Sequence, residues 1–182
     1  CPAMAEPRPA RIWVMRAAFI GIALLVMFYR LLPLDMMPPR FAGPDILVAL
    51  CFAWALRRPD YVPALSIAGV MLLADILFQR PPGLWAALML LAVEFLKSRD
   101  RRDRETTFLL EWLRVAIVLL AITIAYRLVL ALLIVPTGTA FLTLMRYATT
   151  VAAYPLVVIL SQGLLGVRRM APGDFNHAGR SL

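Results

Sequence analysis

The chain has 182 residues, 62% of them hydrophobic and 16% charged, and a mean hydropathy of +0.80. Soluble domains are about 45–50% apolar, so this composition excludes an ordinary soluble domain and points to one integral membrane domain. The net charge of +8 does not point to nucleic acid, because the basic residues are scattered through short segments between apolar runs and form no single basic face.

Residues 1–10 hold three prolines and no periodicity, the pattern of a disordered tail. Cys1 is either an artefact ahead of a natural start at Met4 or a lipid-modified cysteine. The second reading sets the N-terminus outside, against the charge pattern. Cys51 lies in an apolar run as a small hydrophobe, and no disulfide framework is expected. Arg8, Arg11 and Arg16 flank the first apolar run, Ile12 to Leu32. It is too long for a signal peptide and lacks a small-residue cleavage site, so an uncleaved helix is expected. Ala17 and Gly21 stand four apart, a spacing that allows close approach of a second helix and that also arises by chance in an Ala-rich segment.

A proline-rich loop follows over 33–43. Pro44 and Asp45 suit the first turn of a second helix, where a missing N–H costs nothing and an acid meets the positive dipole end. That helix is expected over 44–56, with Trp54 as a membrane-interface aromatic one turn from its end. Arg57-Arg58-Pro59-Asp60 then forms a polar hinge. The third helix is expected over 61–78, with Pro63 near its start and Asp75 one turn from its end. Pro81-Pro82-Gly83 makes a tight turn, and the fourth helix is expected over 84–96, with Glu94 reaching the headgroup region. Lys97 to Glu105 is the most charged stretch and cannot enter a bilayer.

The fifth helix is expected over 107–135, with Glu111 and Arg114 sharing one face at the interface. The sixth runs over 139–167, kinked by Pro155 because the bond to the carbonyl four residues back is lost. Arg168-Arg169 close it, and 170–182 is a polar tail with the one histidine, His177. With six helices and both termini in the cytosol, thirteen basic residues fall on the inside and only Arg40 and Arg80 on the outside. That asymmetry fits the positive-inside rule.

Catalytic patterns are absent from the sequence. One tail histidine and a lone membrane cysteine make no metal site. No serine has a histidine base in the membrane, and no phosphate-binding glycine motif occurs. No enzyme activity, cofactor or metal is expected. Ionisable groups within the apolar runs remain: Asp75, Arg127 and Arg146. Arg127 lies roughly 13 Å, and Arg146 about 10 Å, from the outer ends of their runs at 1.5 Å per residue. A charge at the membrane centre costs about 2.5–3.5 kcal/mol, which favours pairing. The sharper expectation is that Asp75 pairs with Arg127 or Arg146. The alternative is that both arginines snorkel outward and Asp75 reaches the surface alone.

The order of Pro44-Asp45, Trp54, Pro59, Gly69, Asp75, then Pro82-Gly83 and a late Tyr154-Pro155, resembles the rod shape-determining protein MreD family of bacteria. The likeness in length and six-helix plan covers almost the whole chain. One departure is the Pro-Pro-Gly turn, where Pro-Leu-Gly or Thr-Leu-Gly is usual. The resemblance implies a non-enzymatic inner-membrane subunit of the cell-elongation machinery. It also implies MreC as partner, with MreB, RodA and penicillin-binding protein 2 nearby. The family is similar in fold to the substrate-binding subunits of energy-coupling-factor vitamin transporters. The alternative is therefore a small-molecule-binding transporter subunit, in which outer polar groups line a cavity and Ala17 and Gly21 dock a partner. A membrane-embedded transferase is a weaker third class, since its acidic motif is missing.

Overall fold

The computed structural model describes residues 9–32, 42–102, 107–136 and 138–165. These residues form six helices: α1 (Pro9–Leu31), α2 (Ile46–Arg57), α3 (Ala64–Leu77), α4 (Leu84–Arg102), α5 (Phe108–Leu132) and α6 (Ala140–Leu165). No strand occurs among the described residues, so the fold is all-α. The tail over 1–8, most of the loop over 33–41, and the expected close at Arg168-Arg169 with the tail over 170–182 lie outside the described residues, as does His177.

Three segments are long and apolar enough to cross a membrane: Arg11–Leu31, Phe108–Leu132 and Ala140–Gly163. The other helices are shorter or less uniformly apolar, as the short runs over 44–56 and 84–96 predict. With 12 residues, α2 reaches roughly 18 Å at 1.5 Å per residue, short of a hydrocarbon core about 30 Å thick. It has 14-residue company in α3. The apolar part of α4 ends near Leu96, yet the helix continues to Arg102 through residues expected to form a charged loop.

The short α2 is the axis of the bundle. Every residue from Leu47 to Arg57 is buried, and the helix packs on α6, α4 and α1. A helix apolar on all sides belongs in an interior, and ILVALCFAWAL leaves α2 no polar face to present. Around it, α3 pairs with α4 as a hairpin and α5 with α4 and α6, while α1 lies lightly on α2 and α3. The outer surface keeps large apolar side chains, including Leu65, Leu91, Leu132, Phe141 and Ile159, as a lipid-facing surface requires.

The helix starts also differ in detail. Pro44 precedes α2, and Asp45 occupies its N-cap position without a side-chain cap hydrogen bond. Asp45 stands at the helix start as expected, and its carboxylate also engages arginines of other segments. Trp54, by contrast, is corrected. It is 0% exposed, its indole N–H donates to Ser161 Oγ at 3.1 Å, and its ring lies 5.6 Å from that of Phe19. Its place near the helix end predicts an interface position, but α2 is surrounded by protein there.

Pro155 lies inside α6. It has no N–H to give the carbonyl of Val151, four residues back. Trp112 of α5 supplies the missing donor, its Nε1–H reaching that oxygen at 2.9 Å. The proline thus becomes a point of attachment between α5 and α6.

Candidate functional site

The buried polar groups fall at two ends of the bundle. At the end that carries the α2–α3 connection, Arg57 and Glu111 are both buried, with Nη2 and Oε1 3.4 Å apart. Tyr154 of α6 donates its hydroxyl proton to the same Oε1 at 2.8 Å. This triad joins α2, α5 and α6. Sequence reading placed Arg57 in a polar hinge and Glu111 on an interfacial face, but the last turn of α2 carries the guanidinium into the interior. Nearby, Lys97 donates to the Val62 carbonyl at 3.2 Å and to Glu94 at 3.1 Å. Arg16 donates to the Asp60 carbonyl through Nε and Nη2, at 3.2 and 3.1 Å, tying α1 to the turn after α2. Pro59 contributes only backbone there, its carbonyl accepting from Val62 N–H at 3.3 Å.

The opposite end holds Asp75, which is 0% exposed. Its Oδ2 accepts from the Gly83 and Ala86 amides, each at 3.1 Å. Those are orphan donors of the α4 N-terminus. Gly83 has no side chain to cap them, and the two prolines before it have no N–H. Asp75 is therefore a cap donated from the preceding helix. Both sequence expectations for it are overturned: it makes no ion pair with Arg127 or Arg146, and it does not reach the surface. Gly83 itself has φ +88, a left-handed conformation that favours glycine.

Arg127 instead joins the ends of α5 and α6. Its Nη1 donates to Thr143 Oγ1 at 2.6 Å and its Nη2 to the Gly138 carbonyl at 3.2 Å. Gly69 is exposed on α3, where an added Cβ would meet nothing within 4 Å. Pro82 is exposed in the turn. These two family-like positions contribute no contact to a site.

Arg146 does belong to one. Asp45, only 6% exposed, stands at the floor of a cavity of about 110 Å³ lined in part by Arg80, Arg146, Thr123, Tyr126 and Tyr147. Arg30 Nη1 lies 3.1 Å from Asp45 Oδ2, and Arg80 Nη2 lies 4.0 Å from the same oxygen. The Asp45 amide donates to Thr150 Oγ1 at 2.8 Å, which fixes the start of α2 against α6. Phe78 lies beside both Arg30 and Arg80, each guanidinium carbon 5.5 Å from the ring centroid. Arg80 also sits 5.8 Å from the Trp85 ring, and Trp85 packs edge-on to Tyr126 at 5.2 Å. Cation–π contacts hold such guanidiniums in place.

The convergence of Arg30, Asp45, Arg80 and Arg146 was missed because the four come from four separate segments. Sequence reading assigned Arg80 to an outer loop and Asp45 to its own helix. The signal that could have found the group is the alternation of helix direction, which sets all four at one end. Among the described residues no group of three or more histidines, cysteines and carboxylates is arranged to hold a metal. Comparisons with protein families, with curated proteins and with solved structures find no match.

Proposed function

We propose that this chain is a non-enzymatic integral membrane subunit of the bacterial cell-elongation complex. It resides in the inner membrane with both termini cytosolic, binds MreC, and acts alongside MreB, RodA and penicillin-binding protein 2. The carrying observation is the use made of the buried carboxylates. Asp45 engages α1 through Arg30, Asp75 caps α4, and Glu111 holds Arg57 and Tyr154. Each acid joins two or more segments, which suits a rigid scaffold. The resemblance of the Pro44-to-Gly83 stretch to the MreD family supplies the biological setting, and the basic-residue asymmetry supplies the orientation.

Copurification from native membranes tests this reading. A tagged chain is expected to retain an MreC-type protein in a fixed ratio, and depletion is expected to cost rod shape. Recovery of the chain without that partner overturns the proposal. The cavity at Asp45 favours a second reading, a small-molecule-binding transporter subunit, for which a vitamin that raises the Tm is the decisive result.

A further inference from the structure

We propose that the cavity above Asp45 binds a phosphate group. The argument begins with charge. Three guanidiniums gather around one carboxylate, and Arg30 makes the short contact at 3.1 Å. Arg80 stands at 4.0 Å, the outer limit of an ion pair, and lines the cavity together with Arg146. With Arg30 assigned to Asp45, Arg80 and Arg146 remain over one small space, and among the described residues the buried Asp75, whose charge also acts on Arg80, offsets them only in part. Two like charges at a partly enclosed site in a membrane domain are costly without a counter-charge. A phosphate group, about −1.5 to −2 as a monoester at neutral pH, supplies the missing counter-charge.

The hydrogen-bonding inventory points the same way. Most hydroxyls around the cavity are committed: Thr123 donates to Leu119, Thr150 to Arg146 and Tyr147 to Ala116, in each case to the backbone carbonyl. Thr143 accepts from Arg127. Among the described residues around the cavity, the donors left without a hydrogen-bond acceptor are the guanidiniums of Arg80 and Arg146 and the hydroxyl of Tyr126. Among the described residues that line the cavity, Asp45 is the one carboxylate against several spare donors, and such a site selects an anion. Guanidinium forks favour oxyanions that accept two bonds at once. Arg80 is also preoriented, set against the rings of Phe78 and Trp85, and the positive end of α2 adds to the field.

Size is consistent with this. The volume of about 110 Å³ is several times the roughly 10–15 Å³ that one water requires on this measure. Val48, Leu119 and Trp85 give the remaining wall an apolar character. Such a wall accommodates the carbon portion of a phosphate-bearing molecule, whether that is the headgroup of a membrane lipid or a soluble phosphate compound. The proposal stands apart from the partner reading, since phosphate binding and MreC recovery are separate measurements.

The test uses the full chain in neutral maltoside micelles, with two arms. In one, inorganic phosphate is titrated and followed by Tm and by 31P line width. In the other, phosphatidic acid is added to the micelles, and lipid phosphorus retained after washing is counted. A response in either arm is expected. The soluble arm alone identifies a water-borne ligand, and the lipid arm alone identifies a headgroup. Arg146→Gln and Arg80→Gln are each expected to weaken the response about tenfold or more. Arg99→Gln, at the far end of α4, is expected to leave it unchanged. Should a glutamine variant fail to fold, Arg146→Lys retains the charge and loses the fork, and Tyr126→Phe removes the hydroxyl. Both are expected to weaken binding while the fold persists. The proposal is overturned by silence in both arms, by an equal response to chloride at matched ionic strength, or by an undiminished response in the variants that fold.

Discussion

Asp75 and Asp45 are buried acids at the same end of the bundle, and their surroundings set their roles apart. Asp75 faces two backbone amides, whereas Asp45 faces two guanidiniums. Removing the Asp75 carboxyl strands two donors of α4, and each unsatisfied buried donor costs about 1–3 kcal/mol. Asp75→Ala is therefore expected to lower the Tm clearly. Asp75→Asn, which keeps a carbonyl oxygen, is expected to lose about half as much or less. Exchange of Asp75 with Arg127, each taking the other's residue, is expected to give no rescue over the single variants. Rescue would restore the ion pair that the structure replaces with a cap. The acid itself stood out in the sequence as a charge in an apolar run. Its partners did not, because backbone amides at Gly83 and Ala86 carry no side-chain signature, and the sequence offers only the arginines or the surface as destinations for the acid. At the other end, Glu111→Ala leaves Arg57 buried without its carboxylate, a loss of about 3–5 kcal/mol. Replacing both, as Arg57→Met with Glu111→Leu, is expected to recover part of that loss in unfolding experiments, the Tyr154 hydroxyl having lost its acceptor.

At the scale of elements, the apolar runs place five of the six helices to within a few residues, and α4 starts where expected but runs on to Arg102. What the runs do not display is which helix is central. A uniformly apolar segment reads the same whether lipid or protein surrounds it. Only the shortness of α2, together with Trp54 near its end, distinguishes the two cases, and Trp54 was read by its position as interfacial. The sixth helix illustrates a similar limit. Pro155 predicts a lost hydrogen bond, and the structure shows where the replacement comes from: the Trp112 indole, 2.9 Å from the Val151 carbonyl. A double-mutant cycle tests this dependence. Trp112→Phe is expected to destabilise the protein by about 1–3 kcal/mol through the unsatisfied carbonyl. In a Pro155→Ala background the restored N–H can serve Val151 within α6, and the same Trp112→Phe change is expected to cost distinctly less. The coupling between the two changes is expected to be on the order of 1 kcal/mol, as for other residues sharing one hydrogen-bond network. Additive effects would show that the indole contact contributes packing alone.

Across the whole molecule, polar ties gather at the two ends while the middle and outer surfaces are apolar. This arrangement leaves α1 the least anchored helix, fixed by Arg16 at one end and Arg30 at the other. Its outward face carries Trp13, Val14, Leu25 and Phe28, all exposed, with Ala17 and Gly21 exposed among them. A Cβ added at Gly21 would meet nothing within 4 Å, so internal packing does not demand glycine there. Glycine in a helix interior costs about 1 kcal/mol relative to alanine, and a residue that is neither packed nor strained gains nothing within the chain in return. Small residues four apart are the surface on which membrane helices approach most closely. Under the reading proposed above, this face is the candidate surface for MreC. Gly21→Leu is accordingly expected to leave the Tm of the isolated chain unchanged or raise it, and to cut recovery of MreC from native membranes several-fold. Gly69→Leu, at a glycine on α3 that is equally unencumbered, is expected to leave recovery unchanged. If both variants retain the partner equally, α1 faces lipid, and the partner's contact belongs on another helix.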